Sequence, residues 1–288
     1  MAAIYAAALV NGLLIGGVYA LVALGLTLIY GVLHIVNFAH GSLLMIAMFA
    51  AWLLAEKVGI DPYAALPLVA ALMFGLGWAL YRFVIGVVSR GEDRAILLAT
   101  LGIAVVLDNL ALVIFTGDTR QIETPLTFAV WEVGPLLLSV PKVVAFVVSI
   151  ILAGALWAFM ARTDTGRAIR AVAGEPEGAR LMGIRPDRIF ALAYGIGIAC
   201  LGAAACLLLP IFYVSPHVGN VFVLVAFTIV VLGGMGSFPG AVVGGLLIGV
   251  TESFGGLLLG ESLGPIGISL VFIAVLLFRP TGLFGAAR

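Results

Sequence analysis

Long apolar runs, broken only by short clusters of charge, proline and glycine, dominate this chain. They fall near residues 4–33, 41–55, 63–84, 95–116, 143–161, 189–213, 218–235, 240–258 and 265–279. A helix rises 1.5 Å per residue, so about 20 apolar residues cross the hydrocarbon core of a bilayer. Nine such helices consume about 180 residues, in keeping with a 288-residue chain that is 64% hydrophobic and only 10% charged. A soluble domain carries about 25% charged residues, and this chain lacks the polar side chains to cover a water-facing surface. The sequence therefore predicts an all-α polytopic membrane protein of eight to ten spans, nine favoured, in a single domain over residues 1–288. The second and seventh runs are short or interrupted by glycine and suit broken helices, which a membrane tolerates where they pack inside protein or line a cavity. Residues 37–42 and 236–240 both open an apolar run with Gly and Ser, and such matched interruptions point to inverted repeats around a central pathway.

Cations in short loops stay on the cytoplasmic side. With nine spans, Arg82, Arg90, Arg94, Arg162, Arg167, Arg170, Arg180, Arg185, Arg188, Arg279 and Arg288 share one side, and Lys57, Arg120 and Lys142 the other. This places the N-terminus outside, the C-terminus and loops 85–94 and 162–188 inside, and loop 117–142 outside. An even span count breaks the partition. The first residues carry no positive segment, so the N-terminal run is read as a mature first span rather than a signal peptide. Loop 117–142 mixes Asp118, Arg120 and Glu123 with Trp131, Pro125, Pro135 and Pro141; it suits a small folded cap with Trp131 at headgroup level, or an ordinary surface loop.

Several functions are excluded. The net charge is zero and no basic stripe interleaved with aromatics suggests nucleic acid. Cys200 and Cys206 lie six positions apart in one apolar run, on different helix faces, and read as packing residues. His34, His40 and His217 share no ligand spacing with a Cys or carboxylate, so neither a metal nor a cofactor is expected. No Gly-x-x-x-x-Gly-Lys pattern occurs, so any ATP that drives the protein binds to another chain.

The polar segment 162–188 is the most informative. Thr165 suits the cap of a short helix that carries Arg167 and Arg170 three apart on one face and ends at Gly174. Pro176 suits the first turn of a second helix, with Glu175 and Glu177 at its positive end and Gly183 closing it. Under about 12 residues such a helix is marginal alone and must dock on something. Ala179 and Met182, with Leu181 beside them, offer a small apolar patch for a partner's groove. A plain basic loop is the competing reading.

Glu177-Gly178-Ala179-Arg180-Leu181-Met182-Gly183 resembles the Glu-Ala-Ala-x-x-x-Gly coupling loop of bacterial ABC importer permeases, with Gly178 in place of the middle Ala and without the motif's Ile-x-Leu-Pro tail. Asn37-Phe38-Ala39-His40-Gly41, the run Leu232 to Ala241 with Gly244 and Gly245 following, and Pro280-Thr281-Gly282-Leu283-Phe284-Gly285 extend the resemblance from about residue 10 to 285. Together they are similar to the high-affinity branched-chain amino acid ABC permease family, on the side of its H subunit. The resemblance implies an importer in the bacterial inner membrane, built from two permeases (identical or paralogous), two ABC ATPases and a periplasmic substrate-binding protein. It makes this chain a transport subunit without catalysis of its own, coupled through Arg167, Arg170, Glu175, Pro176, Glu177, Ala179, Met182 and Gly183, and carrying leucine, isoleucine or valine. A urea or short-amide permease of the same family is the alternative; an ion-driven secondary transporter or channel is the rival from another class.

Glycines at 12 and 16, 240 and 244, and 245 and 249 suit close helix packing, whereas Gly233, Gly234, Gly236 and Gly240 crowd a boundary and suit a hinge. Asp108 and Glu252 lie deep in apolar runs, where an ionised group costs about 2.5–3.5 kcal/mol on insertion scales. Asp108 has Asn109 beside it, and Glu252 has Thr251 and Ser253. They line a path or bond between helices, and both readings stand. Asn37 and His40, placed near the inner boundary, are the other path candidates, expected to hold the turn after the first span by hydrogen bonds.

Overall fold

A computed structural model describes residues 2–89, 93–124, 126–134, 136–260, 263–279 and 281–284. Arg90, Pro125, Pro135, Pro280, Gly285 and Arg288, used above, lie outside the described residues, as does the side chain of Arg94. The helices are α1 (Ala2–Leu33), α2 (His40–Leu53), α3 (Pro62–Leu80), α4 (Gly86–Val88), α5 (Asp93–Phe115), α6 (Val140–Arg162), α7 (Asp164–Gly174), α8 (Pro176–Leu181), α9 (Pro186–Leu208), α10 (Val218–Gly233), α11 (Phe238–Leu259) and α12 (Gly264–Phe278). Single π-helical turns, Leu54–Val58 and Tyr81–Ile85, prolong α2 and α3. Seven helical stretches among the described residues are long and apolar enough to cross a membrane; α10 and α12, with 16 and 15 residues, are shorter. The expected nine spans thus resolve into seven of full length and two short apolar helices.

α1, 32 residues long, is the axis of the bundle. Its glycines let other backbones approach. A Cβ on Gly12 would stand 2.6 Å from the Cα of Val250, and one on Gly16 2.7 Å from the Gly245 carbonyl, so the small-residue pairs of α1 and α11 interlock as expected. On its next face a Cβ on Gly197 of α9 would meet the Gly25 carbonyl at 2.7 Å. These pairings run antiparallel: Gly12 faces Val250, and Gly31 faces Gly236. α9 is likewise antiparallel to α3, with Gly202 against Ala70 and Gly77 against Ile198. α6 runs alongside α1, Gly17 meeting Phe146 and Leu28 clustering with Met160.

These directions sort the charges. The arginines of 162–188, with Arg82 and Arg279, gather at the end of the bundle where α1 stops. Lys57, Arg120 and Lys142 lie at the opposite end. There segment 117–142, which suited either a small cap or an ordinary surface loop, contains a two-stranded antiparallel hairpin, Val130–Val133 with Leu136–Ser139, which pairs Trp131 with Leu138. Arg120 anchors this region. Its backbone exchanges hydrogen bonds of 2.8 Å with Val214, its guanidinium donates to the Phe115 carbonyl at 2.8 Å, and it stacks 4.4 Å from the Trp52 ring.

Candidate functional site

Among the described residues the chain departs from simple crossing in two places, and they face each other. After α1 ends, residues 34–39 turn back into the bundle, beginning at His34 with φ 56°. His40, at the start of α2, is fully buried, and its Nε2 lies 3.0 Å from the carbonyl oxygen of Val22. Val22 is eleven residues before the end of α1, so the chain has returned by about 16 Å. Six residues suffice, because an extended chain covers about 3.3 Å per residue. His40 therefore sits deep in the protein rather than near the boundary; its ring reaches across to α1, while its amide closes the turn on the Asn37 carbonyl at 3.2 Å. Asn37 does hold the turn: its Oδ1 accepts from the Ala39 amide at 3.2 Å.

The second departure is 215–217. Val214 pairs with Arg120 at one end of the bundle, yet α10 begins only four residues later, beside Gly41. A Cβ on Gly219 would stand 2.5 Å from the Gly41 carbonyl, and Phe222 packs edge-on against Tyr19 at 6.0 Å. α10 runs with α1, from Tyr19 opposite Phe222 to Gly31 opposite Gly236. α2 runs the other way, toward Trp52 and Arg120. Two oppositely directed helices thus start in mid-bundle with their N-termini in contact. The inverted arrangement pairs 37–42 with 215–219, not with the expected 236–240, which forms a boundary turn against Gly31.

Buried polar atoms with few or no partners collect beside α2. His40 Nδ1 is buried with no hydrogen bond, and Asn37 Nδ2 and the Tyr194 hydroxyl of α9, both buried, face each other and have no other partner. Leaving such groups unpaired costs about 1–3 kcal/mol each. The N-terminal ends of both helices add partial positive charge, so the break suits an anionic or polar group.

The carboxylates part company. Glu252 on α11 receives the Tyr19 hydroxyl of α1 and feels the ammonium of Lys142 at the start of α6, while Lys142 also donates to Asn11 at 3.3 Å. Its neighbours do not serve it: Thr251 donates to Leu247 and Ser253 to the Ala8 carbonyl. Asp108 is not paired with Asn109, whose amide donates to the Val105 carbonyl at 2.8 Å; adjacent residues on a helix point about 100° apart. Asp108 joins neither group.

Residues 162–188 fold into an elbow. α7 is capped by Thr163, not Thr165: its Oγ1 accepts from the Gly166 amide at 3.0 Å and donates to the Phe159 carbonyl at 2.7 Å. The cap moves upstream because Gly166 is pressed against α6, where a Cβ would stand 2.5 Å from the Phe159 carbonyl. Arg167 pairs with Asp164, and Arg170 is exposed. α8 starts at Pro176 and closes on Gly183 at φ 82°, with Gly183 bonding Arg180 and Ile184 bonding Ala179, the bonds of a Schellman motif. Glu175 is the N-cap, and Glu177 holds Arg180 at 3.2 Å. The expected patch is reorganised. Ala179 is buried against its own chain, while Leu181 and Met182 are 90% and 83% exposed.

The four boundary glycines divide. Gly234 and Gly236 hold φ of 96° and 85°; Gly233 and Gly240 touch, and a Cβ on Gly240 would meet the Gly233 carbonyl carbon at 2.6 Å. Leu283 and Phe284 bond back to Leu232 and Gly233 at 2.7 and 3.2 Å, a strap that the sequence did not announce. Among the described residues no three His, Cys, Asp or Glu side chains form a metal site.

This is a polytopic helical membrane protein with a discontinuous, polar centre, an architecture of transport proteins. Residues 8–279 match the family described as branched-chain amino acid transport system / permease component, and the chain belongs to that family. Its members are transport subunits rather than enzymes. Among its relatives, the high-affinity branched-chain amino acid transport system permease protein BraD of Pseudomonas aeruginosa is 35% identical, over 98% of this chain and 96% of that one. The permease protein LivH of the corresponding system in Salmonella typhimurium is 34% identical, over 96% and 94%. A solved structure of PsaBC from Streptococcus pneumoniae with Fab aligns over 95% of this chain and 92% of that chain, at 15% identity and a TM-score of 0.48.

Proposed function

We propose that the chain carries branched-chain amino acids inward across the bacterial inner membrane as one of two permeases, driven by two ABC ATPases and supplied by a periplasmic binding protein. Near full-length similarity to two high-affinity branched-chain amino acid permeases carries this reading. The N-terminus is periplasmic and the C-terminus cytoplasmic, in line with the crowding of arginines at the end where α1 stops. The elbow 162–188 docks on the ATPase through Leu181 and Met182, whose exposure outside the spans leaves apolar surface to be covered, with Arg167 and Arg170 on the same segment. ATP-driven motion of the elbow shifts α6 and α9, which flank it, and the solute passes the central break. There Asn37, His40 and the paired helix N-termini receive its carboxylate. Asp108 and Glu252 have separate places: Glu252 braces α1 against α11 and α6, and Asp108 stays a path candidate on α5. Gly233, Gly234, Gly236 and Gly240 act as a packed corner of the moving bundle.

The test is uptake by proteoliposomes that hold the chain with its partner permease, ATPases and binding protein. Labelled leucine, isoleucine or valine should enter only with ATP inside and binding protein outside. Uptake of urea or short amides in their place would move the substrate to the family's other branch, and uptake driven by an ion gradient without ATP would end the reading.

A further inference from the structure

Where the elbow meets the bundle, a cavity of about 590 Å³ is lined by four arginines from three elements: Arg82 of the π turn after α3, Arg180 of α8, and Arg185 and Arg188 at the start of α9. Asp187 is the one carboxylate among its described lining residues. Arg180 is held by Glu177, whereas Arg82, Arg185 and Arg188 form no ion pair among the described residues. The N-terminal end of the 23-residue α9 opens into the same space and adds its positive dipole. Guanidinium forks match phosphate oxygens in pairs, so the site is built for a phosphate.

The other wall is apolar. Trp78 and Val87 line it and are exposed, and Leu72 and Phe83 continue an exposed face along α3 and its extension, the surface that a spanning helix turns to acyl chains. A soluble phosphate leaves this wall unused. An amphiphile with a phosphate head and hydrocarbon tails uses both. We infer that the cavity binds the headgroup phosphate of an anionic phospholipid, with Arg82, Arg185 and Arg188 on the phosphate and the acyl chains along the exposed face of α3. The inference stands apart from the identity of the transported solute.

The test is native mass spectrometry of the full-length chain in its complex, loaded with phosphatidylglycerol or phosphatidylcholine. Phosphatidylglycerol should be retained roughly tenfold over phosphatidylcholine, and Arg185→Gln with Arg188→Gln should erase the preference. Should that variant fail to fold, Arg82→Gln on a different element should lower it severalfold, with Arg82→Lys in between. Equal retention of the two lipids, or an undiminished preference in folded variants, overturns the proposal. Displacement of the lipid by millimolar inorganic phosphate would reveal a soluble-anion site and also overturn it, as would variants that lose the ATPase subunit while keeping the lipid preference.

Discussion

Gly41 and Gly219 meet backbone to backbone in the middle of the bundle, at the starts of two helices that leave in opposite directions. A side chain at either position has nowhere to go, because what stands opposite is a peptide group. Gly41→Ala or Gly219→Ala should lower the melting temperature in detergent by several degrees, the size expected of an overpacked core, about 1–3 kcal/mol. Gly102→Ala, with open space around it, is the control and should change little. Equal melting of all three variants would show that the two helices do not abut.

The buried polar atoms that Asn37 and His40 turn toward the break should matter for passage more than for folding. Asn37→Leu and His40→Leu are expected to cut ATP-dependent uptake by at least tenfold at normal membrane levels, with ATPase stimulation by loaded binding protein retained in part. His40→Gln, which keeps one polar atom, should recover part of the rate. Normal uptake in His40→Leu would remove the break from the path.

Leu181 and Met182 touch little of their own chain, so changing them should spare the fold. Leu181→Asp with Met182→Asp should leave yield and melting unaltered while lowering co-purification with the ATPase and its stimulation by about tenfold or more, as truncated hot-spot residues do. Ala179→Asp, which buries a charge, should instead destabilise the chain.

The elbow depends on Gly166. Gly166→Ala drives a methyl group into the last turn of α6, and it should release the Thr163 cap, worth about 1 kcal/mol. Faster proteolysis within 162–188 is the expected readout, with the spans still protected.

Glu252, Tyr19 and Lys142 form a cross-helix group, and removal of either end should weaken it. Glu252→Gln and Lys142→Gln should each lower stability by about 1–3 kcal/mol, and the double variant should lose clearly less than the sum. Additive losses would show that the two do not interact.

Much of the elbow was legible in the linear chain, because caps, prolines and a closing glycine act within a few residues. Pro176 and Gly183 lie where such chemistry puts them. Thr163 displaced Thr165 since the choice between two threonines turned on a contact with α6. The outward turn of Leu181 and Met182, and the inward turn of Ala179, came from docking against neighbouring elements. The spans were legible as runs, but not their faces: helices apolar on every side carry no stripe to mark what they pack against. Hence Asp108 and Asn109, adjacent in sequence, were not partners, while Glu252 found Tyr19 from another helix.

Composition and the spacing of breakers by themselves determined that this chain lies in a membrane, roughly where its spanning helices run, and that most of 162–188 stands between two of them. Local hydrogen bonding and the cost of exposing apolar surface are enough for that. Only the tertiary structure decided that α2 and α10 start nose to nose at mid-depth, that His40 reaches Val22, and that four arginines from three elements share one cavity. Those facts rest on close approach between segments far apart in the chain, and in hydrocarbon such approach is governed by shape and small residues rather than by a polarity pattern that can be read along the sequence.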